Sequence, residues 1–498
     1  MSFNGLAWLI WLPLAATPFV YLMGRLRQGQ WLWSSRWLAL LTLLATWLPF
    51  VFAVQEYRAE GTLTLTVGTI MLRLDGLSLL LTAVVLTLAT LIALYSAPYM
   101  AGQAGEEKYY AMLLALTGVI IGLSCAADLF NLWLWFEATA VTSYLLVAFY
   151  REQPTSLEAG VKYLVQSTTG SVLVLFGVAI VFAQTGTLDL AGIRAAVQDG
   201  LPTGLPLLAA AALFVAGFGV KMAVVPMHTW LADAHAQAPS GISAMLSGVV
   251  IEAGLVALLR ASTAVITSNN TWGILLLALG SVNMLAGNLL ALRQKRVKRL
   301  LAFSSLAHMG YMLLGLGIAV YAGETAGAQG SFFHLINHGL MKGLAFLAAG
   351  ALLYALHSTL GDRPLMVDDL AGAARRYPLA ALALSLALLG LAGLPPLAGF
   401  ASKWQILAAG MTAHTLLLTA MVGFAALNSV LSLAYYLPVV NVLYRRQQSP
   451  AMVMGQPLPA AIILPLIVLA AAIIVIGLWP GLLNWLTEAA EIAVFGIG

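Results

Sequence analysis

The sequence predicts an all-α polytopic membrane protein of about fourteen transmembrane helices, with two inverted five-helix repeats (spans 4–8 and 9–13) that each contain a broken helix. Three observations predict it. Hydrophobic residues make up 61% of the 498 and charged residues only 8%, and mean hydropathy is +0.94, far from the range of a water-soluble domain. Apolar runs of about 20 residues, the length that crosses a bilayer core, follow one another with short loops. Two of those runs, the seventh and twelfth, are interrupted by proline five spans apart. Five is odd, so the second unit enters the membrane from the opposite side.

The spans read 4–23, 34–54, 76–99, 109–126, 129–150, 158–185, 205–226, 239–261, 272–292, 300–321, 331–356, 378–411 (interrupted), 414–443 and 457–480. No basic segment precedes the first run, so it reads as a retained helix and not as a cleaved signal. The stretch QEYRAEGTLTLTVGTIMLRLD at 55–75 is too polar to span, and its alternating part predicts a short β-hairpin. The polar 186–204 segment predicts a surface loop with a short amphipathic helix. Span seven carries Pro226 just after Lys221; span twelve carries Gly393, Pro395, Pro396 and Gly399 just before Lys403. Proline removes a helical hydrogen bond and clashes with the preceding turn, and irregular backbone at membrane depth survives only inside protein or beside a wet cavity. LLNWLTEAAEIAVF at the C-terminal end predicts a short interfacial helix. The corresponding division is 1–108 (three helices), 109–262 (first repeat), 272–444 (second repeat) and 445–498 (last helix and tail).

Basic residues set the orientation. Arg25, Arg27, Arg36, Lys108, Arg151, the loop RQKRVKR at 293–299, Arg363, Arg375, Arg376, Arg445 and Arg446 fall on one side, fifteen of 23 Lys and Arg. The other side has Arg58, Arg73, Arg194 and Arg260. The positive-inside rule puts the fifteen in the cytoplasm and both termini outside, in a multi-pass plasma-membrane protein. The net charge of +4 is thus a matter of topology and gives no nucleic-acid signal.

Against this apolar background stand Lys221, Lys342, Lys403, Glu137 and Glu252. A lysine at mid-bilayer costs roughly 2.5–3.5 kcal/mol on insertion scales; residues retained at that cost, in both signs, point to charge movement, most simply of protons. Glu137 pairs best with Lys221, either as a gate that opens and closes or as a static buried ion pair. His334, His338 and Lys342, at i, i+4 and i+8, share one helix face and read as a line of proton carriers, since histidine exchanges protons near neutral pH. His-x3-His as a metal site has no carboxylate nearby in sequence. Glu252 sits mid-span, and Arg260 two turns later reads as an interface anchor. His228, Asp233 and His235 are placed at or near the cytoplasmic surface; with Lys162 and His308, the two histidines are candidates for proton entry or relay. Ser304 and Ser305 beside His308 can hold water. The one cysteine, Cys125, excludes a disulfide framework and a cysteine-ligated cluster within this chain, and no cofactor motif is present.

The segments FE at 136–137, VKMAVVPMHTWLADAHAQAPS at 220–240, KRLLAFSSLAHMGYM at 298–312, HLINHGLMKGLAFLAAG at 334–350 and GLPPLAGFASKW at 393–404 resemble the antiporter-like proton-translocating subunits of complex I (NADH-quinone oxidoreductase), membrane-bound hydrogenases and Mrp-type Na+/H+ antiporters. The resemblance covers roughly residues 70–445. It implies fourteen helices with two inverted units, a glutamate–lysine pair at Glu137 and Lys221, a central relay at His334, His338 and Lys342, and an exit-side residue at Lys403. One departure stands out: the family usually has a lysine where this chain has Glu252. Within the resemblance, the absence of a long lateral helix after span fourteen implies an inner subunit. It also implies no redox centre of its own, other membrane subunits as partners, further antiporter-like ones among them, and a driving force from quinone or ferredoxin chemistry elsewhere or from an ion gradient. Two rival readings remain: a stand-alone secondary solute transporter, and a scaffold subunit that has lost conduction.

Overall fold

The computed structural model describes residues 5–26, 35–68, 70–199, 204–265 and 269–496; Arg27 of the first basic loop lies outside them. The described chain is nearly all helical, and eleven of its helices are long and apolar enough to cross a membrane. Two shorter apolar helices, Leu205–Lys221 and Pro378–Ala392, are the first halves of the two interrupted elements.

Position in the bundle follows from what each helix presents to its neighbours. The most apolar stretch of Ser240–Val265 is 100% buried, against 28% for Leu416–Leu443 and Ala460–Leu478. Ser240–Val265, Val297–Ala322 and Thr325–Leu360 therefore form the centre, shielded from lipid on all sides, and these three carry Glu252, His308, His334, His338 and Lys342. The outer helices bury one stripe and leave Phe19, Leu41, Phe176, Leu427 and Val430 exposed, as a lipid-facing surface requires. Water-exclusion drives no helix association in lipid, so close backbone packing takes its place. At Gly280 and Gly310 an added Cβ would lie 2.8 and 2.5 Å from the other glycine's carbonyl oxygen, so the Asn269–Leu292 and Val297–Ala322 helices approach there backbone to backbone.

The hairpin forms as expected, Leu63–Val67 pairing antiparallel with Ile70–Leu74 in the register Leu65↔Leu72. It docks through Arg73 N, which donates to Cys125 O at 2.7 Å. Next comes Asp75, which caps the Gly76–Tyr99 helix in a reciprocal box with Ser78. Arg260 is no interface anchor. It reaches Asp75 with both arms of its guanidinium, at 3.1 and 2.9 Å, and donates to Ser78 Oγ, with its side chain only 8% exposed. The 186–204 segment contains the helix Leu190–Gln198. The C-terminal helix Asn484–Phe495 is packed rather than merely interfacial: Leu486, Ala489, Ala490 and Val494 are buried, and Ala489 fits where Gly76 has no side chain.

Candidate functional site

The first interruption is built around Lys221. The Leu205–Lys221 helix stops there, and turns at 222–230 lead to the short helix Leu231–Gln237. A residue before proline is disfavoured in helix, which ends the run ahead of Pro226; Ala223 is left-handed, at φ 55°. The freed backbone groups are satisfied internally. Trp230 Nε1 donates to Val220 O at 2.8 Å, and Val225 N donates to Asn283 Oδ1 at 2.8 Å. Lys221 is buried. Its ammonium donates to Tyr163 OH at 3.2 Å and lies 5.4 and 5.2 Å from the Phe136 and Tyr163 ring centres, a cation–π cradle.

The expected closed pair of Glu137 with Lys221 is not formed: among the described residues no ion pair joins them. Glu137 is half-buried, not enclosed. Adjacent helical residues point about 100° apart, so Phe136 faces the Lys221 ammonium while Glu137, one position on, makes no ion pair with it but lies near enough for its charge to act on the lysine.

The second interruption treats its lysine differently. Pro378–Ala392 ends at Gly393, φ 85°, and Ala398–Thr412 begins after Pro395 and Pro396. Helix-terminal carbonyls lack N–H partners and carry the negative end of the dipole. Lys403 fills that place: Nζ donates to Leu391 O at 2.9 Å, Ala392 O at 3.3 Å and Ser429 Oγ at 3.1 Å, with the Tyr311 ring centre 4.6 Å away.

Between the two breaks runs a chain of side chains through the buried centre. Glu252 Oε1 and His338 Nδ1 are hydrogen-bonded at 2.8 Å, both groups fully buried. Glu252 Oε2 and His338 Nε2 have no hydrogen-bond partner among the described residues. The His338 ring lies 5.2 Å from that of His308. His308 Nδ1 bonds His334 Nε2 at 3.0 Å, and His334 Nδ1 bonds Ser402 Oγ at 2.9 Å. Ser402 immediately precedes Lys403. His308, expected as a candidate for proton entry or relay, stands inside the line, inserted from Val297–Ala322 against the two histidines of Thr325–Leu360. Lys342 leads off on a branch: its ammonium donates to Leu301 O at 2.7 Å and to Ser304 Oγ. Beside it Ser305 and Ser247 share a 2.6 Å hydrogen bond. Just before Glu252 the helix widens to a π turn at Leu246–Val250, a feature frequent at functional sites.

On the basic-loop side, Lys162 is exposed and pairs with Glu158 at 2.7 Å and Asp233 at 3.1 Å. Arg299 also pairs with Asp233. Burial raises the Asp233 carboxyl, but Arg299 and Lys162 outweigh it and hold it below its ordinary value. His228 is half-buried. His235, expected at or near the surface, is fully buried. It stacks on Phe346 with ring centres 4.8 Å apart, and neither ring nitrogen has a partner among the described residues. Tyr163, Ser402, Ser247 and the π turn were not singled out by the sequence; tyrosine and serine in an apolar helix carry no anomaly that periodicity can detect.

The Glu252–His338 contact depends on two glycines. A Cβ on Gly339 would lie 2.7 Å from Val84 Cγ1 and 2.8 Å from Gly248 O. Gly339→Val is therefore expected to separate the two helices and lower stability by about 1–3 kcal/mol. A fall in the thermal midpoint of the purified complex together with its pumping rate checks this; an unchanged midpoint would show that the helices are not held by this contact.

Residues 126–429 match a family model described as NADH:quinone oxidoreductase/Mrp antiporter, TM, and residues 62–110 match one described as NADH-ubiquinone oxidoreductase (complex I), chain 5 N-terminus. F(420)H(2) dehydrogenase subunit N of Methanosarcina mazei is 32% identical over 483 residues, covering 94% of each chain. NADH-quinone oxidoreductase subunit N 1 of Sorangium cellulosum is 36% identical over 385 residues, 75% of this chain and 74% of the other. Among solved structures, a chain of the membrane-bound sulfane sulfur reductase, an archaeal respiratory membrane complex, superposes with a TM-score of 0.87 at 28% identity, over 99% of this chain and 98% of that one.

Proposed function

Because the chain belongs to the NADH:quinone oxidoreductase/Mrp antiporter membrane-subunit family, we propose that it translocates protons across the membrane as the antiporter-like subunit of a multisubunit complex. The observation that carries this reading is the side-chain line from Glu252 through His338, His308, His334 and Ser402 to Lys403, laid across the lipid-shielded centre of the bundle. Every member can give and take a proton, and the apolar packing around them favours transfer between neighbours over leakage. The fourteen-span, inverted-repeat reading assigns the two broken helices to equivalent places, each presenting a lysine at an interrupted segment.

In this reading protons enter from the basic-loop side, the cytoplasm of a plasma membrane, with both termini opposite. Asp233, Lys162, His228 and His235 lie at that entry. Lys221 holds a proton while its cradle is closed. A carboxylate brought beside an ammonium stabilises its charge, so inward motion of Glu137 loads Lys221 and outward motion releases it. Lys342 loads the central line by way of His338, and Lys403 releases toward the opposite side. No redox step is assigned to this chain; the driving force comes from partner subunits, as oxidoreductase chemistry or as a cation gradient.

The test is proton pumping by the assembled complex carrying Lys221→Ala, Lys342→Ala or Lys403→Ala. Each is expected to abolish pumping while the complex still assembles. Pumping intact in all three would overturn the path and leave the scaffold reading. Uptake of an organic solute by the chain alone in liposomes would favour the solute-carrier reading instead.

A further inference from the structure

The hairpin, the Leu190–Gln198 helix and the C-terminal helix meet the end of the Glu252 helix around a cavity of about 420 Å³. Five charged residues line it: Arg73, Arg194 and Arg260 against Asp75 and Asp189. The carboxylates are already engaged. Asp75 binds both arms of Arg260, and Asp189 accepts from Gly192 N at 2.7 Å to cap its own helix. Two guanidiniums are left over. Arg73 approaches Asp75 only to 3.8 Å and its Nε, although buried, makes no hydrogen bond among the described residues. Arg194, from the Leu190–Gln198 helix, lines the same cavity with neither hydrogen bond nor ion pair among the described residues. Burial, then the charge of Arg73, holds Arg194 below its ordinary value, so the two are close enough to repel.

Like charges facing one partly enclosed space are stabilised by an anion between them. A guanidinium fork matches the oxygens of a phosphate in geometry as well as charge. We propose that this cavity is a phosphate-binding site, clamped by Arg73 and Arg194 with Arg260 held behind them by Asp75. Its occupant is the headgroup of an anionic phospholipid or a free phosphate ion. The walls suit the lipid: the hairpin beside the cavity exposes Val67, Ile70 and Met71, where acyl chains would lie.

Native mass spectrometry of the purified assembled complex tests this, in nanodiscs of phosphatidylglycerol and of phosphatidylcholine. Anionic lipid is expected to stay bound to this chain on release, and Arg73→Gln/Arg194→Gln to lower that adduct about tenfold, a difference of about 1.4 kcal/mol. Phosphatidylcholine should leave little adduct in either form. A second arm titrates inorganic phosphate into the delipidated complex and follows the thermal midpoint. A midpoint rise lost in the double variant, without a lipid adduct, identifies free phosphate as the occupant. Equal adducts and equal midpoint responses in wild type and variant would overturn the site. Should the double variant fail to assemble, Arg194→Lys keeps the charge and removes the fork, and the same readouts apply.

Discussion

Replacing Glu252 with alanine is expected to lower proton pumping by the assembled complex about a hundredfold, within the range by which positioned proton-transfer groups act. The size follows from the geometry. Glu252 is the only carboxylate hydrogen-bonded to the histidine line among the described residues, and its bond to His338 is 2.8 Å in a site with no exposure. Removing it leaves His338 with both ring nitrogens unpartnered in the interior, since Nε2 has no partner already. An orphaned buried donor or acceptor costs about 1–3 kcal/mol, so the variant should also unfold at lower temperature. Glu252→Gln separates the two effects. It keeps a hydrogen-bonding group of the same shape, so stability should largely return, but it cannot release a proton, so pumping should stay low. Glu252→Lys supplies the residue that the family resemblance implies for this position. If Glu252 were the mark of a chain that no longer conducts, Ala and Gln would leave pumping by the complex unchanged.

The largest effect on stability is expected where Arg260, two turns beyond Glu252 on the same helix, meets Asp75. Asp75→Asn should destabilise the complex by about 3–5 kcal/mol, the cost of stripping one partner from a buried ion pair. Asp75 and Arg260 are 3% and 8% exposed, so little solvent screens them, and the fork donates to both carboxylate oxygens. Burial would raise the Asp75 carboxyl, but Arg260, the Ser78 N–H and Arg73 together hold it below its ordinary value. The linkage sign follows. The folded state binds this proton less tightly than the unfolded state, so the stabilisation is complete above the ordinary carboxylate range and is lost as pH falls through the lowered value. Wild-type thermal midpoints should therefore drop below about pH 4, and the Asn variant should lose that component of the slope. A variant as stable as wild type at neutral pH would refute the role assigned to the pair.

The lysines and Glu252 were legible in the sequence because each is an energetic anomaly in its own segment, detectable without knowing its neighbours. The helical line of His334, His338 and Lys342 was legible for the same local reason, and so were the two proline breaks, the hairpin and the short helix near residue 190. What lay beyond reach were facts of cross-helix register. His308 enters between two histidines on another helix, Glu252 meets a residue 86 positions away, and Ser402 continues a path begun by His334. The Glu137–Lys221 pair is formed only at a distance: Glu137 acts on Lys221 through its charge, while the ring of Phe136 holds the place beside the ammonium. His235 was misplaced because a polar turn was read as surface, whereas the aromatic face of Phe346 covers it.

The break at Gly393–Pro396 has a consequence for how such a membrane stays insulating. A continuous helix consumes its own carbonyls and offers a cation nothing; spliced straight, the twelfth run would be inert hydrocarbon. Interrupted, it leaves Leu391 O and Ala392 O free to accept from the buried Lys403 Nζ, deep inside the chain. On the proposed path, the cation site at this point is made by missing hydrogen bonds, and repairing them with alanines at Pro395 and Pro396 is expected to lower pumping by the assembled complex.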